Sequence, residues 1–167
     1  MNLSVKNLTL LSMLIALSVV GRIMFTFIPN VQPTTAIIII TSLFLGPIYG
    51  VVVAILSAIL SNLVMGMGLW TFGQIIAWGT IGLISGAMRK YRDRLPVIVL
   101  AIYAVFCGFL YGFVISIPLY LFSGKFLAYY IAGLPFDMSH AIGNGVFFLI
   151  LYPILSLLFL KNVTIAK

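Results

Sequence analysis

The sequence predicts an all-α protein that crosses a membrane six times, with both termini in the cytoplasm. Composition is the first reason. Hydrophobic residues make up 63% of the chain and charged residues 7%, with a mean hydropathy of +1.29. A soluble domain of this size removes only about 70% of its unfolded surface from water, too little to hide so much apolar area. The apolar runs are the second reason: they are too long and continuous for the in/out alternation of a membrane barrel. Hydrocarbon also requires an internal partner for every backbone N–H and C=O, which leaves helices. The third reason is the distribution of the cations, which fall almost entirely on one side of the implied membrane.

The predicted spans are Leu8–Ile28, Thr34–Leu45, Ile48–Met65, Trp70–Ala87, Pro96–Phe122 and Met138–Leu160. About 20 residues cross the roughly 30 Å of hydrocarbon. The first, third, fourth and sixth spans fit this length. Pro96–Phe122 is long, which predicts a tilt, a kink at Pro118 or projection beyond the bilayer. Thr34–Leu45 is short, clipped by Pro33 before it and by Gly46-Pro47 after it. It crosses only if flanking residues help and protein faces its ends. Six spans place Lys6, Arg89, Lys90, Arg92, Arg94, Lys161 and Lys167 on one side and Lys125 alone on the other. The positive-inside rule makes the first side cytoplasmic. A five-span count would split this set.

The net charge of +7 therefore reads as a topology and headgroup signal, and not as a nucleic-acid patch. The first run overshoots the core of a signal peptide and no small-residue cleavage site follows, so it reads as a retained span. Cys107 stands alone in an apolar run, which excludes a disulfide or thiolate framework. Residues 1–167 read as one membrane domain without a linker or nucleotide-binding loop, so an energy source has to come from another chain.

Three segments then face outward: Pro29–Pro33, Gly66–Leu69 and Ser123–Asp137. In the first, two prolines stiffen a turn that offers the amides of Asn30 and Gln32. The second leads into a helix carrying Trp70, Thr71, Gln74 and Trp78, with Trp70, Gln74 and Trp78 spaced four residues apart on one stripe. An aromatic–amide–aromatic stripe suits stacking on a flat ligand and bonding to its edge. For Trp70, an interfacial anchor is an equal reading. The third segment brings Lys125, followed by Asp137, His140 and Asn144. His140 and Asn144 lie one turn apart and serve either a ligand or helix–helix packing. No second His, acid pair or thiolate accompanies them, so no metal site is predicted. Arg22 is the one charge inside a span, about 9 Å of helical rise from its outer end. Three roles are open to it: snorkelling to the interface, pairing with Asp137, or meeting an anionic ligand group.

Small residues recur elsewhere: Ser12 and Ala16, Ala54 and Ala58, and Gly79, Gly82 and Gly86. Such stripes let helices approach closely in lipid. Some serve the internal bundle, and one facing outward suits docking of another membrane protein.

Together, Pro29-Asn30-Val31-Gln32-Pro33, Phe44-Leu45-Gly46-Pro47, Ser61-Asn62 and Trp70-Thr71-x-x-Gln74 resemble the substrate-binding S components of energy-coupling factor (ECF) vitamin transporters. The resemblance is greatest to the cobalamin-specific subgroup. It implies a six-helix fold with cytoplasmic termini and a vitamin held between the outer loops and helix ends. It also implies two kinds of partner, a transmembrane scaffold subunit and two cytoplasmic ATPases. In that family an Ala-x-x-x-Ala pattern on the first helix packs on the scaffold, and here Ser12 stands for the first Ala. Arg22, Asn30, Gln32, Trp70, Thr71, Gln74, Trp78, Lys125, His140 and Asn144 become the expected substrate-binding set. No cofactor is implied. Pantothenate or another anionic vitamin is the alternative substrate, and it would make Arg22 and Lys125 central.

Two other classes compete. Asp93 and Asp137 are the only acids, and Asp93 lies in the basic loop, so no acid–base pair supports an enzyme. A ligand-free membrane scaffold would lack an enclosed outer cavity.

Overall fold

With no water to bond inside a bilayer, backbone polar groups pair within helices. The computed structural model describes residues 5–162 and is helical almost throughout. Its elements are α1 (Val5–Met24), α2 (Thr34–Leu45), α3 (Pro47–Met65), α4 (Leu69–Ala87), a 3-10 helix (Met88–Arg94), α5 (Val97–Ser123) and α6 (Phe126–Asn162). Five of the helices are long and apolar enough to cross a membrane. The expected cation Lys167 and the side chain of Pro118 lie outside the described residues.

The exception is α2. Its 12 residues rise about 18 Å, well short of the hydrocarbon. All 12 are buried, because its Thr34–Leu45 sequence is apolar on every side and packs against α1, α3, α4, α5 and α6. The expectation that protein encloses this segment therefore holds along its whole length.

Two boundaries differ from the sequence reading. The first helix ends at Met24, and the expected helical residues up to Ile28 form a turn that leads to Pro33. The last helix starts at Phe126, where the sequence suggested an outward loop up to Asp137. What remains of that loop is a turn at Gly124, with φ of 66°. Aromatic packing explains the extension. Phe126 and Tyr130 stack on each other at 5.9 Å and meet the edges of Phe113 and Tyr120 on α5. Pro135 is accommodated inside the helix, and Ser139 Oγ donates to its carbonyl at 3.1 Å.

The start of α1 and the end of α6 meet at one end of the bundle, where Lys6 and Leu158 line a common groove. The 3-10 helix is at that end too: Arg92 lies 4.2 Å from the Phe44 ring centroid, and Phe44 stacks on Phe159 at 4.8 Å. Arg92 also pairs with Asp93 at 2.8 Å, which holds the Asp93 carboxyl below its usual range. The turns at Pro29–Pro33 and Gly66–Gly68 occupy the opposite end.

The small-residue stripes divide between inside and outside. Ala54, Ala58, Gly82 and Gly86 are buried, whereas Ser12 and Ala16 are exposed. A Cβ on Gly82 would come within 2.9 Å of the Gly50 backbone, and one on Gly86 would overlap Pro47. Nothing lies within 4 Å of a Cβ on Gly79. Gly82→Val or Gly86→Val is therefore expected to cost about 1–3 kcal/mol by overpacking, seen as a lower thermal midpoint of the purified protein. Gly79→Ala at the same stripe should leave the midpoint unchanged or slightly raised.

Candidate functional site

The site forms where α2 stops short and the turns from α1 and α3 close over it. Arg22, near the end of α1, is 7% exposed and points inward. Its Nη1 donates to Ser61 Oγ at 2.6 Å, and its guanidinium lies 5.1 Å from the Trp78 ring centroid. Ser61 Oγ in turn donates a hydrogen bond to the Ser57 carbonyl at 2.5 Å. Snorkelling is thus replaced by an inward contact. The alternative pairing with Asp137 does not form either. Arg22 and Asp137 are not within ion-pair distance of each other, and Asp137 packs against Gly112.

Behind Arg22 a hydrogen-bonded chain crosses four elements. Trp78 Nε1 donates to Thr35 Oγ1 at 3.0 Å. Thr35 Oγ1 lies 3.1 Å from His140 Nε2, and His140 Nδ1 lies 2.7 Å from the Asn30 carbonyl. A carbonyl only accepts, so Nδ1 carries the proton. Thr35 then accepts from Trp78 and donates to Nε2, and every member of the chain is satisfied with a neutral imidazole. Asn30 sits at φ 60°, a left-handed conformation Asn tolerates better than most residues, which aims its carbonyl at His140. Tyr111 packs into the same group, 5.0 Å from Trp78 and 4.7 Å from His140 between ring centroids.

A second network fixes α4 against α3. Asn62 Nδ2 donates to Thr71 Oγ1 at 2.9 Å and to Gln74 Oε1 at 2.7 Å. The Gln74 carbonyl is thereby engaged, and its side chain also meets the Tyr111 hydroxyl.

These elements enclose a cavity of about 240 Å³ at the end of the bundle away from the chain termini. Arg22, Asn30, Gln32 and Gln74 line it, together with Tyr111, Thr26, Phe25, Ile28, Val31 and Met65. Four of the expected binding residues are thus brought together. Thr71, Trp78 and His140 stand behind the lining and hold it in place. Trp70 and Lys125 are not part of it. Trp70 is 45% exposed at the start of α4, with its ring over Gly68, as an interfacial anchor would be. Lys125 is exposed at the turn before α6. The aromatic stripe from Trp70 to Trp78 is therefore split, with one end outside the protein and the other in its core. Asn144, one turn beyond His140, is fully buried and neither of its side-chain polar atoms finds a partner.

Sequence reasoning missed Thr35, Ser61, Asn62 and Tyr111 as parts of the site. Tyr111 had a signal: Tyr103, Cys107 and Tyr111 place polar atoms every fourth residue along an otherwise apolar helix. Ser61-Asn62 had another, as adjacent polar residues near the end of an apolar span.

Residues 6–158 match the family described as ECF transporter, substrate-specific component. The chain belongs to that family. No curated protein and no solved structure matches it. As an ECF substrate-specific component it is a multi-pass membrane protein and a transport subunit, not an enzyme, and it works with a substrate and an ECF module.

The two tryptophans of this ECF component should behave differently. Trp78→Phe removes the N–H that Thr35 accepts and shrinks the ring beneath Arg22, with an expected loss of about 1–3 kcal/mol in unfolding measurements. Trp70→Phe should stay within about 0.5 kcal/mol of the parent protein. Acrylamide should quench the parent protein's Trp70 emission far more than that of Trp78.

Proposed function

We propose that this chain is the vitamin-capturing subunit of an ECF importer, with its ligand held in the Arg22–Gln74–Tyr111 cavity on the outer face of the membrane. The observation that carries this reading is a half-open cavity, lined by both polar and apolar side chains, at the end of the bundle opposite the clustered cations. The positive-inside rule then puts the cavity outside and both termini in the cytoplasm. Asn30, Gln32, Gln74 and Arg22 contact the ligand, while Trp78, Thr71 and His140 position them.

The sequence resemblance favours cobalamin as the ligand, and the cavity favours something smaller. A corrinoid macrocycle far exceeds 240 Å³ and would rest on the rim with only an edge inserted. A pantothenate-sized vitamin fills the space, as does one of similar bulk. Purification from rich medium, followed by absorbance and mass spectrometry of the released ligand, separates the two: a corrinoid spectrum supports cobalamin, and a small colourless compound the smaller vitamin. Protein that releases no ligand, and gives no uptake in cells carrying an ECF module, would overturn the importer reading.

The scaffold subunit docks on α1 in this proposal. Ser12 and Ala16 are exposed and line an apolar groove of about 420 Å³ with Ile15, Val19, Leu56 and Leu60. The other small residues at close contacts are already used inside the bundle. Van der Waals packing is the chief attraction between helices in lipid, so bulk at this groove should hold the partners apart. Ser12→Leu and Ala16→Leu are expected to abolish co-purification with the scaffold and ATPases and to stop ATP-driven uptake. Ligand binding by the isolated subunit should stay within about twofold of the parent, corresponding to less than about 0.5 kcal/mol.

A further inference from the structure

Arg22 is a buried cation whose counter-ion the chain does not supply. The whole sequence contains two acids, Asp93 and Asp137. Asp93 is spent on Arg92 at the far end of the bundle, and Asp137 packs against Gly112 without forming an ion pair with Arg22. What Arg22 has among the described residues is neutral: the Ser61 hydroxyl, the face of Trp78 and the nearby Tyr111 phenol. A guanidinium carries five N–H donors, and the Ser61 bond uses one. Isolated burial of such a charge costs several kcal/mol, and membrane proteins keep it only where it has work to do.

The surroundings show what kind of counter-ion fits. Arg22 opens onto the cavity beside Gln74, whose carbonyl is taken by Asn62 and whose amide group meets the Tyr111 hydroxyl on the same wall. Donors therefore gather at this pole, and no carboxylate is among its lining residues; Asp137 acts on Tyr111 from behind the wall. The rest of the lining includes Phe25, Ile28, Val31 and Met65, which suit a compact apolar body. We infer that the transported ligand is a small carboxylate with an apolar or uncharged body, and that Arg22 is the residue that selects its charge. This rests on the importer reading above and narrows it to one substrate class. Planar, two-point recognition of a carboxylate is what a guanidinium does better than an ammonium, so lysine should replace it poorly.

The test uses the full chain in nanodiscs of zwitterionic lipid and matched pairs of probes that differ in the carboxylate alone. Suitable pairs are pantothenate and panthenol, biotin and biotinamide, nicotinate and nicotinamide, and lipoate and lipoamide, with cyanocobalamin and sodium chloride as further arms. Binding is read by thermal shift and tryptophan emission. One acid should bind, with its neutral partner about 100-fold weaker, the scale expected when one side of a buried charge pair is removed. Arg22→Gln should bind acid and neutral partner alike, and Arg22→Lys should keep only part of the preference. Should Arg22→Gln fail to fold, the ratio within a pair, measured on the parent protein and on Arg22→Lys, still decides. Should no probe bind, the charge of the ligand released from protein grown in rich medium decides instead.

The inference is overturned if the neutral member binds as well as the acid, if cyanocobalamin alone binds, if chloride alone stabilises the protein, or if the released ligand carries no acid group. A neutral ligand that is nonetheless taken up through an ECF module would leave the importer reading standing. Absence of both released ligand and uptake would remove the two together.

Discussion

The whole structure depends on enclosing one helix that is too short for the bilayer. α2 ends inside the bundle at both extremities, so neither end reaches water, and each must be finished by protein. At its start Pro33 has no N–H to satisfy, and Thr34 Oγ1 reaches the Ser18 carbonyl at 3.4 Å. At its finish Gly46 N–H returns to Ser42 at 2.9 Å, and Pro47 opens the next helix at once. The 3-10 helix then covers that end with Arg92 over Phe44, placing a cation where a helix terminus is most negative. The five long helices form a sheath around this centre, and their lipid-facing sides remain apolar.

The cavity follows from the same shortfall. Because α2 begins only at Thr34, the space beyond its first turn is lined by side chains of α1, α3, α4, α5 and the turn that precedes α2. The polar ones among them sit at helix ends and in that turn, beside apolar neighbours such as Phe25 and Ile28. The chain from Trp78 through Thr35 and His140 to Asn30 ties four elements together around the floor of the cavity. Being fully satisfied, it makes a rigid base, in the way that complete buried networks do. The networks on Asn62 and Ser61 fix the walls. Arg22 stands without an ion pair where the cavity opens, and Asp137 lies buried against Gly112, likewise without one.

Close approach makes this compactness possible. α3 and α4 meet backbone to backbone at Gly50 and Gly82, and at Gly86 against Pro47. α5 and α6 meet through Gly108 against Ala141 and Gly112 against Asp137. On the outside, Ser12 and Ala16 offer the same kind of surface, exposed in a groove beside Leu56 and Leu60 of α3. One chemical device thus serves inside the subunit and, in the proposed complex, between subunits.

The sequence by itself determined the solvent, the secondary structure and the ends of the molecule. Apolar runs can only be helices in lipid, and the cations mark one end because charges are excluded from hydrocarbon. It also exposed Arg22, Asn30, Gln32 and Gln74, since a polar atom in such surroundings demands a partner. Tertiary structure decided which of the stripes face inward. Trp70 and Trp78 share one helical face, yet one is 45% exposed and the other fully buried. Periodicity gives the face of a helix and says nothing of whether a neighbour still covers it two turns away. For the same reason Ser12 and Gly82 read alike in sequence and part company in the fold. The early start of α6 was hidden because its outer turns are held by aromatic contacts with α5, and those contacts exist only once the two helices lie side by side.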